Sequence, residues 1–328
     1  MPAGEGGILP SGALILIAFV ADLLIGDPPW LPHPVRAMAW LAQGCEGFWR
    51  QRLSRLRVAG VLTVVCVLTG VGGVVAAVLA VAERVHPWAH DLVASYLLYS
   101  ALAARDLAHH ALRVREALLV PDLEVARQRV AMIVGRDTAL LDEAGVARAT
   151  VESVAENMVD GVTAPILWAA LLGPVGALVY KAINTMDSLF GYKNERYHQF
   201  GWAPARLDDL ANYLPARLTA ILVVCAAALL GHSPRQAYRI WRRDRRCHAS
   251  PNSAQTESAV AGALGVQLGG PAVYFGRRVD KPTIGNAEEP IQARHILAAT
   301  RLMLLTTGLM ALLAGGGVLS HLVLGSTG

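Results

Sequence analysis

Residues 58–82 contain no charged side chain, and Arg50, Arg52, Arg55 and Arg57 stand immediately before them. A helix needs about 20 consecutive apolar residues to cross a bilayer, and this run supplies them. It is therefore expected to be a membrane-spanning helix. The four arginines place the preceding loop, 28–57, on the cytoplasmic side, where Lys and Arg accumulate.

The rest of the chain is consistent with that start. Of 328 residues, 54% are apolar and only 16% charged, against about 25% charged in soluble domains. Mean hydropathy is +0.41. The net charge of +4 is not a nucleic-acid signal, because the basic residues are nearly all arginines beside apolar runs, with lysine only at 181, 193 and 281. Cys45, Cys66, Cys225 and Cys247 are scattered and suggest neither a disulfide framework nor a zinc site. The first apolar run has no basic leader segment and no clear cleavage site, so it is read as a retained helix.

The fold class that follows is all-α: a polytopic helical membrane protein, one integral-membrane domain over 1–328, with a cytoplasm-facing polar helical region. Membrane helices are expected near 8–25, 58–82, 87–104 and 302–324. Two further segments are ambiguous or re-entrant. Residues 164–180 are broken by Gly173-Pro174, and 214–230 fall short of a full span. If 87–104 crosses and these two do not, everything from Arg105 to Arg301 lies on the cytoplasmic face. Residues 105–134 read as amphipathic helix, with a new helix starting at Pro121. The basic stretch 235–246 is either an anchor to anionic lipid or a surface that attracts an acidic substrate. Strand-like alternation is confined to 272–278.

Several polar blocks interrupt the apolar pattern. Glu152, Glu156 and Asp160 recur every fourth residue, so a helix puts them on one face with Asn157 beside them. That helix should stop at Gly161, which would crowd three carboxylates at its unfavourable end. Asn184 and Asp187 share a face three residues apart, followed by Lys193, a point charge suited to phosphate. Carboxylates and amides of this kind suit Mg²⁺. Arg136, in Val-Gly-Arg-Asp-Thr, should precede a helix capped by Asp137 or Thr138, and could cradle a phosphate there. Asp27 follows Gly26 and precedes two prolines, and His33 is held rigidly between Pro32 and Pro34 as a phosphate or acid–base candidate. Asn252 and Gln255 have capping-box spacing, and Glu257 with Asn252 could form an anion-and-metal corner. His86, His90 and the His109-His110 pair are read as ordinary structural histidines. No phosphate-binding glycine loop and no nucleophile elbow is present.

The blocks at 22–36 (DLLIGDPPWLPHPVR), 134–138 (VGRDT), 152–165 (ESVAENMVDGVTAP), 181–197 (KAINTMDSLFGYKNERY), 201–215 and 250–265, with Tyr274-Phe275-Gly276, together resemble the CobD/CbiB family of cobalamin-biosynthesis membrane proteins, the adenosylcobinamide-phosphate synthases. They run in order over most of the chain. The resemblance implies an amide ligation. The f-propionate of adenosylcobyric acid is joined to (R)-1-aminopropan-2-ol or its O-phosphate, with ATP as co-substrate and Mg²⁺ as its metal, and the corrinoid is substrate rather than prosthetic group. On this basis Glu152, Glu156, Asp160 and Asp187 are the expected catalytic and Mg²⁺-holding residues. Arg136, Lys193, Asn157, Asn184, Asn252, Glu257, Asp27 and His33 are the expected substrate and phosphate contacts. The setting would be the inner cell membrane with the active face toward the cytoplasm, among membrane lipid and other cobalamin-assembly enzymes. A non-catalytic AmpE-like signalling or accessory protein and a transporter are the alternatives.

Overall fold

The structure is a computed structural model that describes residues 7–28, 30–120, 122–192, 194–274 and 276–317. Helix α1 (Ser11–Ile25) ends where Gly26 adopts φ 72°. Helices α2 (Pro34–Arg52) and α4 (Pro87–Tyr99) begin by one device: a histidine, His33 or His86, accepts a backbone N–H two residues on, and proline follows it. Proline suits that first position because its missing N–H has no helical partner there anyway. Between them runs α3 (Leu56–Val85). Then come α5 (Ala104–Leu119), α6 (Leu123–Ala131), capped by Asp122, and α7 (Glu143–Met158), capped by Asp142. A π-helical turn, Val159–Thr163, joins α7 to α8 (Ala164–Phe190). The chain continues through α9 (Trp202–Ala211), α10 (Tyr213–Leu229), α11 (Pro234–Asp244) and α12 (Ser253–Leu264). Four short strands follow: β1 (Leu268–Gly269), β2 (Ala272–Tyr274), β3 (Arg277–Val279) and β4 (Thr283–Ile284). β1 pairs antiparallel with β4 and β2 with β3. Helix α13 (Ala293–Gly315) closes the described chain.

The all-α membrane class holds. Three helical runs are long and apolar enough to cross a bilayer: Leu56–Val85, Glu143–Phe190 and Ala293–Gly315. Trp202–Ala211 with Tyr213–Leu229 qualifies only as a pair bent by 44°, a broken span or a re-entrant loop. The segments expected at 8–25 and 87–104 form helices of 15 and 13 residues, which reach about 22 and 20 Å, short of the roughly 30 Å of hydrocarbon. The last span begins at Ala293, ahead of the expected 302, and positions 318–324 fall outside the described residues. The break at Gly173-Pro174 is real but does not end the helix; Gly173 takes φ 65° and α8 continues through a kink. Gly161 likewise does not stop α7. It sits inside the π turn, where one extra residue is absorbed without losing the helical path.

The chain, read from sequence as one domain, divides into two compact units. The first comprises residues 1–103, 162–212 and 311–328. Within it, α3 packs against α2, α4, α8 and α9. Gly60 of α3 meets backbone: a Cβ there would lie 2.1 Å from the carbonyl oxygen of Phe200. Asp91, buried in α4, accepts the N–H groups of Ile8 and Leu9 at 3.0 Å each. A carboxylate in an apolar helix is thus used to tie down the turn just ahead of α1. A second polar cluster links Tyr180, Asn212, Asp208 and Asn184 by hydrogen bonds of 2.8, 3.0 and 3.4 Å.

The second unit comprises residues 104–161 and 213–310. Every residue of α12 is buried, among α7, α10 and α11. Its small residues make that possible: a Cβ on Gly262 would sit 2.5 Å from the carbonyl oxygen of Gln236 in α11. The expected capping box at its start does not form. The Asn252 side-chain oxygen accepts instead from Arg217 at 3.2 Å, and Gln255 bonds Trp241 at 2.9 Å. Tertiary donors outcompete the local pairing.

Candidate functional site

The site is built on one face of α7. Ser153 Oγ donates to the carbonyl of Ile133 at 2.7 Å and Asn157 Nδ2 donates to Ser153. These bonds lash the 133–136 turn to the helix and bring Arg136 to Glu152. The two form a buried ion pair, with side chains 14% and 7% exposed. The other Glu152 oxygen accepts the backbone N–H of Gly269 at 2.6 Å. Gly269 has φ 72°, and a Cβ there would lie 2.3 Å from the Pro282 carbonyl oxygen, so glycine is what lets the strand approach. From α12, Ser253 Oγ donates to Glu156 at 2.8 Å.

Asp137 does not cap a helix, because α7 starts six residues later. Its N–H donates to Val273 and its carboxylate accepts from Gly276 N–H at 2.7 Å. That pair of bonds holds the β2–β3 hairpin and brings Tyr274 to the site. Lys281 Nζ meets the Tyr274 hydroxyl at 2.5 Å and lies 4.8 Å above its ring. The N–H of Ser250 donates to His248 Nδ1 at 3.1 Å, so in the neutral ring the proton belongs on Nε2.

These groups surround a pocket of about 250 Å³, lined among others by Arg136, Glu152, Glu156, His248, Glu257 and Lys281. Burial pulls His248 below its ordinary range; the Glu156 charge opposes this and that of Lys281 adds to it. Burial also works against the Arg136 charge, but Glu152 outweighs it and the guanidinium is held more firmly than usual. Glu257 is pushed well up, first by burial and then by the charges of Glu156 and Glu152, with Lys281 and Arg136 pulling the other way.

Of the residues singled out from sequence, Arg136, Glu152, Glu156, Asn157 and Glu257 line this one pocket. Asn252 sits at the N-cap of α12, held by Arg217, and Asp160 lies on the π turn; neither is in the lining. Asp27, His33, Asn184 and Asp187 belong to the first unit. There His33 Nε2 lies 3.6 Å from Asp27, and Asn184 faces Asp208. Lys193 is outside the described residues. His248, Tyr274 and Lys281 received no role from sequence. Lysine's rarity was the available signal, and it applied equally to Lys181, Lys193 and Lys281.

Among the described residues no group of three His, Cys, Asp or Glu side chains is arranged to hold a metal ion. Of the four carboxylates expected to hold Mg²⁺, Glu152 and Glu156 line the pocket, Asp160 lies on the π turn and Asp187 belongs to the first unit. Both Glu152 oxygens accept hydrogen bonds, from Arg136 and from Gly269 N–H, and one Glu156 oxygen accepts from Ser253.

Fold and site together define an all-α membrane protein whose second unit encloses a small pocket of mixed charge. The CobD/Cbib protein family matches residues 15–303, and the chain belongs to that family. It is 50% identical to the cobalamin biosynthesis protein CobD of Geobacter metallireducens over 93% of this chain and 96% of that one. It is 46% identical to CobD of Desulfotalea psychrophila, over 91% and 95%. To the cobalamin biosynthesis protein CbiB of Salmonella typhimurium it is 47% identical, over 88% and 91%. No solved structure matches.

Proposed function

We propose that this protein acts in cobalamin biosynthesis as an acid–amine ligase, joining (R)-1-aminopropan-2-ol or its O-phosphate to the f-propionate of adenosylcobyric acid. The observation that carries the reading is the pocket of the second unit. Cations and carboxylates face one cavity of about 250 Å³, in a chain whose named relatives are cobalamin biosynthesis proteins. That volume suits the small reacting groups, a propionate end, a phosphoryl group and an amine, rather than a corrin ring.

The chemistry asks for this mixture. A carboxylate resists amines because it is a resonance-stabilised anion, so ATP activates it as an acyl phosphate. Phosphoryl oxygens then need fixed positive charge, which is worth most in a site shielded from water. Lys281 supplies it as an ammonium held against Tyr274. Arg136 supplies it as a planar guanidinium already oriented by Glu152. Glu156, steadied by Ser253, borders the same space. Mg²⁺ enters this reading only as the counter-ion that nucleotide phosphates carry. We place the reaction at the inner cell membrane with the pocket facing the cytoplasm, where ATP is found.

The test is direct. Purified protein in lipid nanodiscs is given adenosylcobyric acid, ATP with Mg²⁺, and either form of the amine. An amide product of the summed mass less water, formed with ATP cleavage, is expected. No product from well-folded protein with either amine overturns the reading. Movement of unaltered substrate across vesicles would point to transport.

A further inference from the structure

The carboxyl of Glu257 stands apart from the others in the pocket. Glu152 is paired, and Glu156 accepts from Ser253. Glu257 is only 5% exposed and lines the cavity, yet no hydrogen bond or ion pair reaches its carboxyl among the described residues. An ionised carboxylate without a partner is expensive to bury. The side chain is also held in place: α12 is buried along its whole length, and Gly262 locks it against α11. A rigid helix thus presents an unsatisfied acid to a cavity whose other acids are engaged.

We propose that Glu257 is the ammonium subsite of this pocket, the carboxylate that pairs with the incoming primary amine and takes its proton as the amide forms. The proposal rests on the ligation reading for the identity of the amine. The step balances with an acyl phosphate as co-reactant. The ammonium gives one proton to Glu257, and the freed nitrogen lone pair forms the C–N bond. The acyl C–O bond breaks, its electron pair leaves on inorganic phosphate, and the amide nitrogen sheds its second proton to that phosphate or to water.

The pH behaviour follows from the surroundings. The groups acting on Glu257 are Glu156 and Glu152 of α7, with Lys281 and Arg136 from the loops. His248 and Tyr274 also border the cavity, while α10, α11, β1 and β4 contribute no charged side chain to its lining. Burial and the two glutamates favour a protonated Glu257 in the empty pocket. An ammonium can then bind only as a proton leaves, whichever partner finally holds the shared one. Below the pH at which Glu257 ionises, affinity should rise about tenfold per pH unit.

The test separates subsite from reaction. Calorimetry on the wild-type protein in nanodiscs uses 1-aminopropan-2-ol phosphate, with propane-1,2-diol phosphate as the uncharged-end control, in two buffers of different ionisation enthalpy. The amine should bind with close to one proton released, and the diol at least tenfold more weakly. In ligation assays E257Q should raise KM for the amine tenfold or more and lower kcat, leave KM for the corrinoid unchanged, and flatten the pH profile; E257D should recover part of this. If wild-type protein makes product but binds amine without proton release, the subsite is refuted. So it is if folded E257Q keeps the wild-type amine KM and pH profile. If no product ever forms while proton-coupled amine binding is seen and E257Q loses it, the ligation reading fails and the subsite stands. Should E257Q not fold, the wild-type proton count decides.

Discussion

Arg136→Met is the sharpest stability test of the site. The substitution keeps the length and apolar stem of the side chain and removes its charge. It leaves Glu152, 5% exposed, with only the Gly269 N–H. Removing one member of a buried pair typically destabilises by about 3–5 kcal/mol, because the remaining charge is uncompensated. Both side chains are largely buried here, so solvent screening takes little off that figure. The double variant R136M/E152Q should recover about 2 kcal/mol or more. Its amide oxygen can still accept from Gly269 N–H, and no charge is stranded. Trp241, buried in α11 and bonded to Gln255 at 2.9 Å, reports on this unit by fluorescence during SDS-driven unfolding in bicelles. If R136M lies within about 1 kcal/mol of wild type, or the two substitutions simply add, the pair does not organise the site.

Three further outcomes are expected. Glu156→Ala should lower ligation at least a hundredfold with membrane insertion intact, measured by product formation beside detergent-solubilised yield; normal turnover would remove this carboxylate from the reaction. Gly60→Ala should destabilise the first unit by about 1–3 kcal/mol, since its methyl would have to displace the Phe200 backbone, and unchanged thermal unfolding would show that contact to be loose. Asp244 accepts the Gly285 N–H at 2.8 Å and pairs with Arg243; burial works to raise its pKa, but these partners outweigh it and hold it below the ordinary value of 3.8. Its contribution is therefore present above that value and lost as pH falls through the lower folded-state pKa, so Asp244→Asn should be less stable than wild type at neutral pH and approach it in strong acid. A gap that persists in strong acid would refute this linkage.

The sequence by itself determined the parts governed by short-range rules. A charge-free run of sufficient length must be a helix, and α3 extends the expected 58–82 by only two or three residues at each end. The stretch 28–57, expected as a loop, instead holds α2 from Pro34 to Arg52. Four-residue spacing correctly put Glu152 and Glu156 on one helix face, and the alternation at 272–278 surfaced as a hairpin. Where a helix passes through a glycine was not legible, because a π turn at Gly161 and a kink at Gly173 depend on what surrounds the backbone. Nor could sequence tell which polar group satisfies which. Asn252 and Gln255 had the spacing of a local cap, yet Arg217 and Trp241 claim them. Nothing in the sequence singled out Lys281, and only the path of the β2–β3 hairpin brings it to Tyr274. Only the tertiary structure decided that Arg136 neutralises Glu152 while Glu257 is left unpaired, since the free energy of a buried charge depends on neighbours a hundred residues away in the chain.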